Sequence, residues 1–195
     1  MPDRAGEIIE ASTAEFVAQS YELYDLPPLG ALVRTGDGAA DLYGIVFNAV
    51  TESIEPGRRP LARGKDEPSP EAVYRANPQL ASLLRSEFSA VVVGHRHDGR
   101  VLHYLPPAPA RIHGFVFRCS EDEVREFSAS LSFLDVLLRT TLPMPVEEVT
   151  GAALRLMADA HEDRHAFLLS AGKELATKLS GDFSRLRSVL GRLKG

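Results

Sequence analysis

The sequence predicts an α+β protein in which a β domain to about residue 119, interrupted by one helix, precedes a helical tail of about three helices spanning 120–195. Two changes of pattern predict it. Up to Cys119 the apolar residues come in short runs broken by Gly, Pro, Asn and Asp, as strands and turns require. From Ser120 onward Val124, Phe127, Leu131, Leu134, Leu137 and Leu138 recur at helical spacing. Strands first and helices afterwards is the order of a segregated α+β fold.

Gly6 to Ala11 and Glu15 to Gln19 read as short strands, and Tyr21 to Leu29 as a loop or edge because Pro27-Pro28 cannot donate to a ladder. Ala31 to Thr35 is the next strand, and Gly36-Asp37-Gly38 supplies positive-φ residues for a tight turn. Leu42 to Thr51 follows, with Gly44 marking a bulge or a close backbone approach. The polar segment Glu52 to Pro70, with four prolines, reads as an exposed excursion. Ser69 caps a helix with Pro70 at its first position, running to about Glu87 with a break before Pro78. Phe88 to Gly94 is a near-continuous apolar strand that turns at His97-Asp98-Gly99 and returns as Val101 to Leu105. Pro106, Pro107 and Pro109 form a stiff linker before the last strand, Arg111 to Cys119. Ser120 and Glu123 form a capping box for the first tail helix. Thr140 to Pro145 ends that helix, a second runs to about His161, and a third covers about Arg164 to Leu193.

Composition narrows the function classes. With 195 residues and 44% hydrophobic content the chain can bury a sizeable core, and 25% charged residues is ordinary for a globular protein. A net charge of −5 is not the footprint of a protein that coats nucleic acid. A lone cysteine, Cys119, cannot form an intramolecular disulfide, which fits a reducing cytoplasm. The first residues carry no apolar signal core, and no run approaches the ~18 apolar residues of a membrane span.

The opening residues follow the pattern G-x-I-I-x-A-x-T-x-E-F, a loop, L-G-x-L-V-R, a Gly-rich turn and Y-G-I-V, carried by Gly6, Ile8, Ile9, Thr13, Glu15, Phe16, Leu29, Gly30, Val33, Gly44 and Val46. This resembles the HAS barrel, the N-terminal β-barrel of HerA-type translocases and F-type ATP synthase subunits, over roughly the first 60 residues. The resemblance implies that residues 1–119 form a small barrel with the helix of about 70–87 inserted. In the family the barrels form a crown that holds a ring of ATPase subunits together, and a following P-loop domain does the catalysis. This chain holds no G-x-x-x-x-G-K-[ST]. The resemblance therefore implies a standalone bacterial protein of this type that takes part in assembly rather than hydrolysis. Its expected partner is a protein, such as a ring ATPase, or a second copy joined through barrel or tail.

The chemistry-bearing residues fall into three groups. Arg58, Arg59, Arg63 and Lys65 form a basic loop that can grip phosphate or an acidic partner, although Asp66 and Glu67 follow at once. The stretch from Gly172 sets six basic residues against two acids on an amphipathic stripe, and Lys178, Arg185 and Arg187 are its candidate contacts. With the basic loop they define an alternative role as a nucleotide- or nucleic-acid-binding accessory. His95, His97, His103 and His113 lie on one hairpin and the next strand; His95 and His97 alternate to one face and His103 can oppose them, a candidate Zn²⁺ or Ni²⁺ site. An exposed polar hairpin tip is the simpler reading, since no second ligand motif accompanies them. Cys119 has no neighbouring base in sequence, and the acids of Glu121-Asp122-Glu123 and Glu147-Glu148 suit helix starts without catalysis. No cofactor is implied.

Overall fold

In the computed structural model, which describes residues 3–36, 40–55 and 57–194, the β half becomes seven strands. They are β1 (Arg4–Ala11), β2 (Glu15–Gln19), β3 (Leu32–Thr35), β4 (Leu42–Ser53), β5 (Leu84–His97), β6 (Arg100–Leu102) and β7 (Phe115–Arg118). All pair antiparallel in the order β2-β1-β7-β3-β4-β5, and β5 then pairs with β2 again. The hydrogen-bond circuit of six strands is therefore ring-like. β5 makes this possible by its length: Glu87 to Val91 pair with β2, while His95 to His97 carry β6 as a spur on the same edge. Asp37 and Gly38, expected in the β3–β4 turn, lie outside the described residues.

β4 and β5 are covered on both faces. Inside the ring Ile8, Phe16, Val33, Val46, Phe88, Val92 and Val116 form one core. Outside it Tyr43, Ile45, Phe47, Val91 and Val93 share a second core with the helices. Gly44 sits at the inner face, where a Cβ would come 3.0 Å from Phe16 Cε1 and Ala90 Cβ. The expected irregularity lies beside it. Tyr43 pairs with Gly94 but Gly44 with Val92, so Val93 is an extra residue on β5. That bulge inverts the alternation: Arg96 faces the helices, where it donates to Tyr43 and Glu126, and His95 turns to the opposite side.

The inserted helix α1 (Pro70–Ala76) is capped as its sequence requires, the Ser69 hydroxyl accepting from Ala72 N at 3.3 Å. It is shorter than expected. Asn77-Pro78 ends it, a 3₁₀ turn covers Pro78–Leu83, and residues 84–87 are strand rather than helix because they pair with Ser53 to Val50 of β4. The strand expected over 111–119 is confined to β7, since His113 has φ +66° and turns the chain.

The tail holds five helices among the described residues, not three: α2 (Glu121–Ser128), α3 (Phe133–Leu137), α4 (Val146–Ala160), α5 (Arg164–Lys178) and α6 (Phe183–Arg192). The capping box starts α2, with Ser120 N donating to Glu123 Oε2 at 2.7 Å. Ser128, Ser130 and Ser132 follow, and their hydroxyls bond within the segment instead of letting one helix run through. The long C-terminal helix divides at Gly181, after which Asp182 caps α6 by accepting from Arg185 N at 3.0 Å. No helix of the described residues is long and apolar enough to cross a membrane.

Gly30 joins the two halves. It has φ +85°, and a Cβ there would lie 2.5 Å from Ala153 N and 2.6 Å from Ala152 C in the backbone of α4. Gly30→Ala is expected to cost about 3 kcal/mol or more, since both strain and collision oppose it. Gly57→Ala, at φ +77° with nothing within 4 Å, should cost only about 1 kcal/mol. Urea unfolding of the two variants measures the difference.

The Arg96 guanidinium, hydrogen-bonded to Glu126, holds that carboxyl below its ordinary value of 4.5. A depressed carboxylate stabilises the fold above the unfolded pKa and loses that contribution as pH falls through the folded one. Arg96→Met should therefore flatten the acid limb of a melting temperature profile below about pH 4.5 relative to wild type; an unchanged limb would remove the pair from the account.

Candidate functional site

The chain leaves the ring at Ser53 and re-enters at Leu84, its register partner, with Ile54 N donating to Leu83 O at 3.0 Å. Between these points the excursion folds back on α1 and the 3₁₀ turn, and a cleft of about 270 Å³ opens between them. Its apolar wall comes from Val73, Tyr74, Leu80 and Leu83, and Arg58, Arg59 and Arg63 stand at its rim. Leu61, 79% exposed, projects beside the arginines.

The charges at this rim are largely unspent. Arg58 meets Glu55 at 2.8 Å, but Arg59, Arg63 and Lys65 have no carboxylate within ion-pair distance among the described residues. Asp66 and Glu67, which follow them in sequence, do not neutralise them. Lys65 does not line the cleft. Tyr74 is fixed from behind by a 2.5 Å hydrogen bond between its hydroxyl and that of Tyr24. This bond raises the Tyr74 phenol to about 12, so it stays protonated at neutral pH. Guanidinium groups around an apolar floor suit an occupant with carboxylate or phosphate oxygens flanking an apolar group.

The tail cations are used differently. Lys178 is held by Asp135 at 2.7 Å and Glu174 at 3.1 Å. Arg185 reaches Glu147 at 2.6 Å and Leu138 O at 2.5 Å. These two clamp helix to helix rather than face outward, which corrects their reading as ligand contacts. Arg187 forms no ion pair among the described residues and does not line the arginine-rimmed cleft.

The four histidines do not converge. His95 donates through Nδ1 to Tyr104 O at 3.1 Å, and His97 is exposed beside Asp98. His103 lies on the helix side with its ring edge-on to Phe127 and Phe133. His113, at the turn before β7, bonds Glu7 at 2.6 Å. Among the described residues no group of three His, Cys, Asp or Glu side chains is placed to hold a metal ion. The β5–β6 register, which pairs His95 with Leu102 and so turns His103 to the other face, and the positive φ of His113 are what separate them. Cys119 is half-buried, and the loss of water around its thiol pushes it up and keeps it protonated.

The Arg58–Arg63 loop was legible in sequence because its cations are consecutive. The apolar wall was not: Val73, Leu80 and Leu83 straddle a helix break, and Tyr24 lies in a loop with no periodicity. Comparison of the chain with models of known families finds no match, and no curated protein matches it either.

Burial against the two phenylalanines lowers the His103 pKa from 6.5. The unfolded chain then takes up the proton first, so stability is full above about pH 6.5 and declines as pH falls towards the folded value. His103→Phe should lessen that decline between about pH 6.5 and 5 in thermal melts.

Proposed function

We propose that this chain is a non-enzymatic binding or assembly protein, an adaptor with a HAS-like barrel that docks a protein partner in the cytoplasm, a ring ATPase or another complex. The observation that carries the reading is the arginine-rimmed cleft. Arg59 and Arg63 are unpaired beside an apolar wall, an arrangement that favours an acidic segment bearing an apolar side chain. The closed circuit of six antiparallel strands supports the barrel reading, and the family's crown-forming role is the analogy behind the choice of partner. The alternative, a nucleotide- or nucleic-acid-binding accessory, keeps only the loop half of its support, since Lys178 and Arg185 are committed within the tail.

The test is affinity capture from native extract with the full chain and with an Arg59→Glu/Arg63→Glu variant, followed by reconstitution with the purified partner. The proposal expects a stoichiometric, identified protein whose affinity falls at least tenfold on charge reversal and declines with salt. Capture unaffected by the reversal, or salt-sensitive binding to single-stranded nucleic acid instead of protein, would overturn it.

A further inference from the structure

A second cavity lies at the opposite end of the β4–β5 pair, between the β5–β6 spur, the start of β4 and the proline-rich strap 105–111. Its volume is about 750 Å³, within the ~300–1,000 Å³ typical of small-molecule sites. It shares no lining residue with the arginine-rimmed cleft. The apolar walls are Leu42 and Leu102 on the strands, Leu105 and Pro106 on the strap, and Phe115 at the start of β7. Pro106 is itself buried, which anchors the strap.

Two polar groups give this cavity chemical character. His95 is only 7% exposed and lines it. A carbonyl can only accept, so the Nδ1 contact with Tyr104 O places the proton on Nδ1. In the neutral ring Nε2 is then an acceptor, and no group among the described residues bonds it. The edge-on contact with the Tyr104 ring, 5.0 Å between centroids, holds the imidazole in that orientation. Arg111 also lines the cavity, is exposed, and has no carboxylate partner among the described residues. The Nε2 acceptor faces the cavity, where an occupant's N–H or O–H can reach it.

We propose that this cavity binds an amphipathic organic anion: a flat apolar body between Leu102 and the strap, an N–H or O–H donor to His95 Nε2, and an acidic group near Arg111. Neither the loop cations nor the tail helices take part, so the site is independent of the adaptor reading.

The probe is 8-anilinonaphthalene-1-sulfonate, which has an apolar ring system, one N–H and one sulfonate. Fluorescence titration of the full chain should give saturable binding of one dye per chain. Leu102→Trp, which fills the cavity, should weaken binding at least tenfold. His95→Phe should weaken it about fivefold and Arg111→Gln about threefold or more. Arg111 is exposed, so that variant remains informative if a buried substitution lowers stability; circular dichroism melts check each protein. Arg63→Gln should leave the titration unchanged. Non-saturable binding, wild-type affinity in both Leu102→Trp and Arg111→Gln, or loss in Arg63→Gln would overturn the assignment.

Discussion

Both faces of β4 and β5 have to be kept from water. Val46, Phe88, Ala90 and Val92 point into the ring, and Tyr43, Ile45, Phe47, Val91 and Val93 point out of it. Each such side chain contributes roughly 1.5–3 kcal/mol when buried, so neither face can be left open in a chain whose net stability is about 5–15 kcal/mol. Closing the strand circuit buries the inner set. The outer set requires a separate cover, which α2 to α6 supply by sharing the core of Phe127, Phe133, Leu134, Leu154 and Met157. Gly30 has no side chain because this cover approaches the β3 entry to within backbone contact. The tail is thus part of the folding unit, and the two halves read from the sequence share one core.

The cover also explains how charge is distributed. Its helices are tied to the sheet through Arg34–Glu123 and Arg96–Glu126, and to each other through Lys178–Asp135, Arg185–Glu147 and Arg192–Glu148. These five cations are committed within the fold. On the excursion, which lies outside both cores, Arg58 is paired with Glu55, while Arg59 and Arg63 at the cleft beside α1 have no carboxylate partner among the described residues.

What was legible in the sequence was local. The Ser69-Pro70 start, the Ser120–Glu123 box and the acidic first turns of α2 and α4 depend on residues three or four apart, and the structure has them. Long-range commitments were not legible. Asp135 is 43 residues from Lys178, and Glu147 is 38 from Arg185. The histidine grouping failed on register and on a turn. His95 pairs with Leu102, which leaves His103 one residue on and facing the other side, and His113 sits at positive φ ahead of β7. The bulge that sets the face of His95 was equally hidden: nothing in the run Val91-Val92-Val93-Gly94 distinguishes the bulged valine from its neighbours.

Because Ser53 and Leu84 are register partners, the ring closes without residues 54–83, which enter and leave at one point. The entropy of closing such a loop grows only with the logarithm of its length, about 0.6 kcal/mol for each doubling. Lengthening, shortening or exchanging this segment therefore leaves the free energy of the scaffold almost untouched. The arginine loop and α1 occupy the part of the chain that evolution or an engineer can rewrite most cheaply, while the cavity under the proline strap, built from ladder residues, is bound to the architecture itself.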